Sequence, residues 1–236
     1  MIATLLPALG LGFLVGFRHA FEPDHLAAVT TMASHERGVA RAAKLGVAWG
    51  IGHTISVGLV ATILVILGVN VPERFHTVAE LGVAVMLIVL GMGTLIADVR
   101  RHRGAHGVSH GHAHATNAAH QHVQVASGTS GLRVGGVLAG HPRALGFGIL
   151  HGLAGSGAVI VLAIAAATEQ RTQLGYLLTF GIGSIAGMAI VSALSGATVG
   201  WVGRSNTTAL RYVRMGAASL SAIVGVMLGT EVLRGW

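Results

Sequence analysis

Six apolar runs, at about 2–22, 45–69, 78–98, 145–167, 173–198 and 210–233, constrain this chain more than anything else in it. Each is close to the roughly 20 residues that a helix needs to cross a bilayer. Inside lipid every backbone N–H and C=O must be satisfied within the segment, so such runs fold as helices. Only 10% of the 236 residues are charged, against roughly 25% in a soluble domain, and 53% are hydrophobic. The 36 glycines fit helices that pack closely in a membrane. Val99 to Arg143 is too polar to span, while the other runs are joined by short turns. The N-terminal MIATLLPALGLGFLVGF lacks a basic leader and an obvious cleavage site, which predicts a retained first span.

The formal charge of +7 would point to nucleic acid in a soluble chain. Here the basic residues sit between the apolar runs, where the positive-inside rule accounts for them and no nucleic-acid partner is needed. One set of loops holds Arg37, Arg41, Lys44, Arg100, Arg101, Arg103, Arg133, Arg143, Arg204, Arg211 and Arg214; the other holds Arg74, Arg171 and Arg234. This asymmetry predicts both termini outside and the long polar loop in the cytoplasm.

The two halves resemble each other. LGFLVGFRHAFEPDHLAAV is echoed by ALGFGILHGLAGSGAVIVL, aligning His19 with His151. WGIGHTISVG is echoed by FGIGSIAGMA, aligning His53 with Ser184, and Gly82 to Gly91 matches the spacing of Gly216 to Gly225. Two units of three spans have opposite orientations, the pattern of transporters whose site lies at the repeat interface. The expectation is an all-α polytopic membrane protein: six transmembrane helices as a 3+3 inverted repeat with a discontinuous first helix. Residues 1–98 and 145–236 are the repeats, flanking a cytoplasmic His-rich loop over 99–144.

Chemistry concentrates at Arg18 to Thr31, RHAFEPDHLAAVTT, where two His, an Asp and a Glu follow an apolar run. Ionisable groups at membrane depth are costly and mark sites or pathways. Pro23 removes a backbone donor and biases Glu22 away from the α conformation, predicting a helix break. That break would bring His19, Asp24 and His25 onto one centre, as discontinuous helices do around ions. Imidazole suits Ni²⁺, Co²⁺, Zn²⁺ and Cu²⁺, and one carboxylate offsets part of the charge. The bland alternative is an interfacial loop in which Asp24 caps a helix starting at His25 and Arg18 pairs with Glu22. His53 and His151 lie within later spans, either on the ion pathway or bonded to neighbouring carbonyls. Asp98 is expected to pair locally with Arg100 and Arg101, and Glu80 and Glu231 to be solvated helix-end charges. With no Cys, thiolate sites and disulfides are excluded.

RHAFEPDHL resembles the RHAxDADHI signature of the nickel/cobalt transporter (NiCoT/NicO-type) family, with His19, Asp24 and His25 on its H-x4-D-H core. Glu22 stands where that family usually has Asp, and Pro23 where it often has Ala. WGIGHT, ending in His53-Thr54, resembles the second-helix motif. HGLAGSG, from His151, resembles the fourth-helix element of the urease-accessory-type nickel permease branch. Two later acidic motifs of the eight-span permeases are absent. The resemblance implies a permease moving Ni²⁺, with Co²⁺ as a second cargo, through His19, Glu22, Asp24, His25, His53 and His151. It implies the cytoplasmic (inner) membrane, with nickel-enzyme maturation proteins as candidate partners.

A second group, His102, His106, His110, His112, His114, His120 and His122, forms a low-complexity tract suited to buffering such ions without strong discrimination. Uptake by secondary transport is the leading expectation, with no tightly bound cofactor. Efflux by the same fold and a non-transporting metal sensor are the alternatives. No H-E-x-x-H occurs, which disfavours an intramembrane zinc hydrolase, and no G-x-x-x-x-G-K-[ST] occurs, which disfavours ATP-driven pumping. The sequence leaves the oligomeric state open.

Overall fold

The computed structural model describes residues 2–36, 38–67, 73–105, 136–137, 140–166 and 169–235, and the described residues contain no strand. The helices are α1 (Ile2–His19), α2 (Pro23–Ala33), α3 (Val39–Leu67), α4 (Glu73–Ala105), α5 (Pro142–Ala166), α6 (Gln170–Ser205) and α7 (Thr207–Arg234). A helix therefore lies over each of the six apolar runs, with α2 as an added short element. Among the described residues, α3, Thr77–Arg100 of α4, α6 and α7 are long and apolar enough to cross a membrane, and Leu5–His19 is a shorter apolar helix. The fold is that of a polytopic, all-helical membrane protein. Six of the seven His of the polar tract lie outside the described residues, and His102 falls in the last turns of α4.

The break after the first apolar run follows from Pro23. Phe21 N–H bonds the Arg18 carbonyl at 2.9 Å and Glu22 N–H bonds the His19 carbonyl at 3.0 Å, closing α1 in a tight turn. Glu22 is extended at φ −64 and ψ 147, as a residue before proline prefers. Pro23 then opens α2, where its missing N–H costs nothing. Glu22, not Asp24, is the N-cap residue, and its carboxylate makes no cap bond.

Glycines set the helix spacing. Gly16 of α1 lies against the Phe180 carbonyl of α6, and Gly183 of α6 lies against the Phe13 carbonyl of α1. Gly52 of α3 meets the Leu145 carbonyl of α5, and Gly148 of α5 meets the Trp49 carbonyl of α3. Gly91 of α4 meets the Ala218 carbonyl of α7, and Gly225 of α7 meets the Ala84 carbonyl of α4. None of these positions has room for a Cβ, so each crossing depends on two glycines that let the backbones touch.

Polar contacts tie α7 to α2 and α4. Thr31 Oγ1 donates to the Ala217 carbonyl at 3.0 Å, and Arg214 Nε donates to the Ser34 carbonyl at 2.8 Å. Arg211 Nε donates to Asp98 Oδ2 at 2.7 Å. The expected local pairing of Asp98 with Arg100 and Arg101 did not include this partner on a neighbouring helix. Asp98 faces α7, because α4 and α7 pack side by side and Arg211 offers a fixed partner on that neighbour. A cavity of about 720 Å³ opens at this end of the bundle, between α2, α4 and the start of α5, lined in part by Thr31, His35, Glu36, His141 and Phe147. At the opposite end Glu80 and Glu231 line a cavity of about 280 Å³.

Candidate metal site

The helix break aims three side chains inward from one short stretch. His19 comes from the last residue of α1, and Asp24 and His25 from the first turn of α2. On a continuous helix, residues five and six apart would point away from His19. The turn through Ala20, Phe21 and Glu22 removes that constraint, and the His19 and His25 ring centroids come to 4.4 Å. α3 contributes His53, 5.2 Å from His19 and 5.1 Å from His25 between centroids. α5 contributes His151, 4.0 Å from His25.

Four imidazoles and one carboxylate thus gather where α1, α2, α3 and α5 meet. His25, His53 and His151 are buried to within 2% of their surface, and His19 to within 9%. Asp24 joins the cluster through both oxygens: Oδ1 lies 3.1 Å from His25 Nδ1 and Oδ2 lies 3.0 Å from His151 Nε2. Oδ1 also accepts from the His25 backbone N–H at 2.9 Å. Glu22 Oε2 lies 3.0 Å from His19 Nδ1 and is half exposed. Glu22 therefore pairs with His19 and not with Arg18, and leaves His19 Nε2 facing inward.

The nitrogens that remain are the informative ones. His19 Nε2, His25 Nε2, both ring nitrogens of His53 and His151 Nδ1 are buried without a hydrogen-bond partner. An unsatisfied buried polar group costs about 1–3 kcal/mol, so a set of five in one place needs a reason. A cation in the cluster would satisfy one nitrogen on each ring it meets. Candidate ligand atoms of His19, His25 and His53 lie within 4.8 Å of one another, and so do those of Asp24, His25 and His151. Metal–imidazole bonds are about 2.0–2.1 Å, so donors of one ion are at most roughly 4.2 Å apart. Small side-chain movements close either trio.

The glycine crossings place these rings. Gly52 and Gly148 bring α3 and α5 into backbone contact, and His53 and His151 follow them within one turn. Aromatic rings that the sequence reading assigned no role line the cluster. Phe180 lies 5.4 Å from His19, and Trp49 lies 5.7 Å from His151 and 6.4 Å from Phe147. Their signal was present in the repeat alignment, where Trp49 and Phe180 occupy equivalent positions. Ser184 donates to the Gly16 carbonyl at 3.2 Å and so serves the α1–α6 contact.

All six membrane residues singled out in the sequence are therefore in one region, five in the cluster and Glu22 at its edge. The His-rich tract lies outside the described residues, apart from His102 in α4.

A family described as NicO, high-affinity nickel-transport protein, matches residues 5–233. The urease accessory protein UreH of Bacillus sp. (strain TB-90) is 29% identical over 192 residues, covering 81% of this chain and 77% of that protein. No solved structure matches the chain.

Proposed function

This chain belongs to the NicO family of high-affinity nickel-transport proteins, a family of transporters and not of enzymes, and from that membership we propose that it takes Ni²⁺ up across the cytoplasmic membrane through the buried histidine cluster. The observation that carries the reading is the set of partnerless imidazole nitrogens at membrane depth. His19, His25, His53 and His151 serve as nitrogen donors, and Asp24 supplies the compensating charge. Glu22 acts one step back: by accepting from His19 Nδ1 it fixes the ring with Nε2 inward, as carboxylates do for metal-bound histidines. Co²⁺ is the second cargo, since imidazole-rich sites separate these two ions poorly.

The six apolar runs act as two inverted three-helix repeats. Support comes from the glycine crossings, which exchange under the sequence alignment. Gly16 on Phe180 corresponds to Gly148 on Trp49, and Gly183 on Phe13 corresponds to Gly52 on Leu145. Gly91 on Ala218 corresponds to Gly225 on Ala84. The ring pairs His19–Phe180 and His151–Trp49 correspond in the same way. A site at such an interface is exposed to either side in turn as one repeat rocks on the other.

The end bearing the larger cavity faces the cytoplasm, because Arg41, Lys44, Arg143, Arg204, Arg211 and Arg214 cluster in the segments there. Ions released at that end meet the His-rich tract, which buffers them. The relative's name ties it to urease; nickel-enzyme maturation proteins are the corresponding cytoplasmic acceptors here.

The test is Ni²⁺ flux into vesicles containing only this protein, wild type against His19→Ala. Flux in the wild type that disappears in the variant is the expected result. Absence of wild-type flux, with Ni²⁺ still bound, would replace the transporter reading with that of a metal-sensing subunit.

A further inference from the structure

The cluster divides into two overlapping donor sets, and this division rests on the transport reading above. We propose that it holds two successive coordination positions for the ion, sharing His25, and that transport passes the ion from one to the other. The first position is His19, His25 and His53, all imidazole. The second is Asp24, His25 and His151, two imidazoles and a carboxylate.

Three observations separate the positions. His25 is the pivot: its ring centroid lies 4.4, 5.1 and 4.0 Å from those of His19, His53 and His151, whereas His53 and His151 are 6.0 Å apart. The hydrogen bonding is uneven. Every ring carries a partnerless nitrogen, but Asp24 bonds both rings of the second trio, His25 and His151, whereas His53 of the first trio has both of its nitrogens partnerless. The surroundings also differ. His19 packs on Phe180, which belongs to a buried cluster with Val57, Ala61, Tyr176 and Leu177. His151 packs on Trp49, which packs on Phe147, and Phe147 lines the 720 Å³ cavity. The second position is therefore the one beside the cavity, with the Trp49–Phe147 pair between them.

Proton accounting is consistent with an exchange about His25. With the ion on His25 Nε2, the ring proton sits on Nδ1 and is donated to Asp24 Oδ1. When the ion moves to the Nδ1 side, the displaced proton is taken up by the vacated Nε2, and the ring stays neutral. His151 has the matching reserve: its Nδ1 is buried and partnerless, ready for the proton that leaves Nε2 when Nε2 binds the ion.

The experiment uses the chain with residues 102–122 deleted, so that the His-rich tract adds no imidazoles, loads it and its His53→Ala and His151→Ala variants with NiCl₂, and counts imidazoles on the ion by X-ray absorption. The same proteins are assayed for flux in vesicles. Two positions predict one ion bound in each variant, three imidazoles in His151→Ala, two in His53→Ala, and loss of flux in both. His25→Ala removes the shared ligand and loses binding. A single centre predicts the same imidazole count in the His53 and His151 variants, which would overturn the relay and leave the transport reading standing. No ion and no flux in the wild type would instead overturn the transport reading itself. Gln replacements at the same positions repeat the comparison wherever an Ala variant fails to elute as a folded species.

Discussion

His151 Nε2 lies 3.0 Å from Asp24 Oδ2, joining α5 to the first turn of α2 across 127 residues of sequence. This contact links the broken helix of one half of the chain to a helix of the other. It also gives Asp24 a role beyond charge. The carboxylate bridges two imidazoles and sets the spacing that a cation would find.

Asp24→Asn keeps the shape of the side chain and removes its charge. Ni²⁺ affinity in detergent is expected to fall at least about tenfold, or about 1.4 kcal/mol, with flux falling in step. The melting midpoint should change little. Titration calorimetry with a parallel melting curve checks this; wild-type affinity together with wild-type flux in the variant would remove Asp24 from the ligand set.

Acid should weaken binding. A protonated imidazole cannot hold a cation, so protons compete with the ion for the same nitrogens. Ni²⁺ affinity is therefore expected to fall, with the loss on the acid side, as the pH is lowered. A Kd that tightens on acidification would exclude imidazole ligation.

Gly52→Ala should separate α3 from α5, because the added Cβ meets the Leu145 carbonyl and the Ile149 backbone nitrogen. Overpacking of this kind costs about 1–3 kcal/mol. Gly58, on the same helix, has nothing within 4 Å of a built Cβ. Gly58→Ala is thus expected to be neutral or stabilising by up to about 1 kcal/mol from helix propensity. Equal melting shifts for the two variants would show that the α3–α5 crossing is not held by backbone contact.

The absence of cysteine makes orientation directly measurable. Arg41→Cys should react with an impermeant thiol reagent only from the cytoplasmic side, and Arg171→Cys only from the outside. The reverse labelling pattern in intact cells against inverted vesicles would invert the proposed topology.

Deletion of residues 102–122 removes seven imidazoles but none of the cluster. Flux in vesicles is expected to survive, with fewer Ni²⁺ ions bound per chain. Loss of flux would make the tract part of the pathway and not a buffer.

Much of the site was legible in the chain. Pro23 announced the break, because its ring and missing N–H act locally and need no tertiary partner. The H-x4-D-H spacing and the lone histidines at 53 and 151 marked costly groups in apolar runs. The Arg211 partner of Asp98 was not legible, since local charge neighbours are visible in sequence while a residue 113 positions away is not. Trp49 and Phe180 were also passed over as site neighbours, because an aromatic residue in an apolar helix carries no mark of what it packs against.

The sequence by itself determined the helices, the break and the residue types available for ligation, all of which follow from local backbone chemistry and from the cost of bare polar groups in lipid. Only the tertiary structure decided which rings share a donor set. That grouping depends on how closely α3 approaches α5 and α1 approaches α6, which the paired glycines at 52 and 148 and at 16 and 183 allow by bringing backbone against backbone. His25 became central for the same reason: those approaches put His19, His53 and His151 around it, three residues from three different helices that no periodicity along the chain connects.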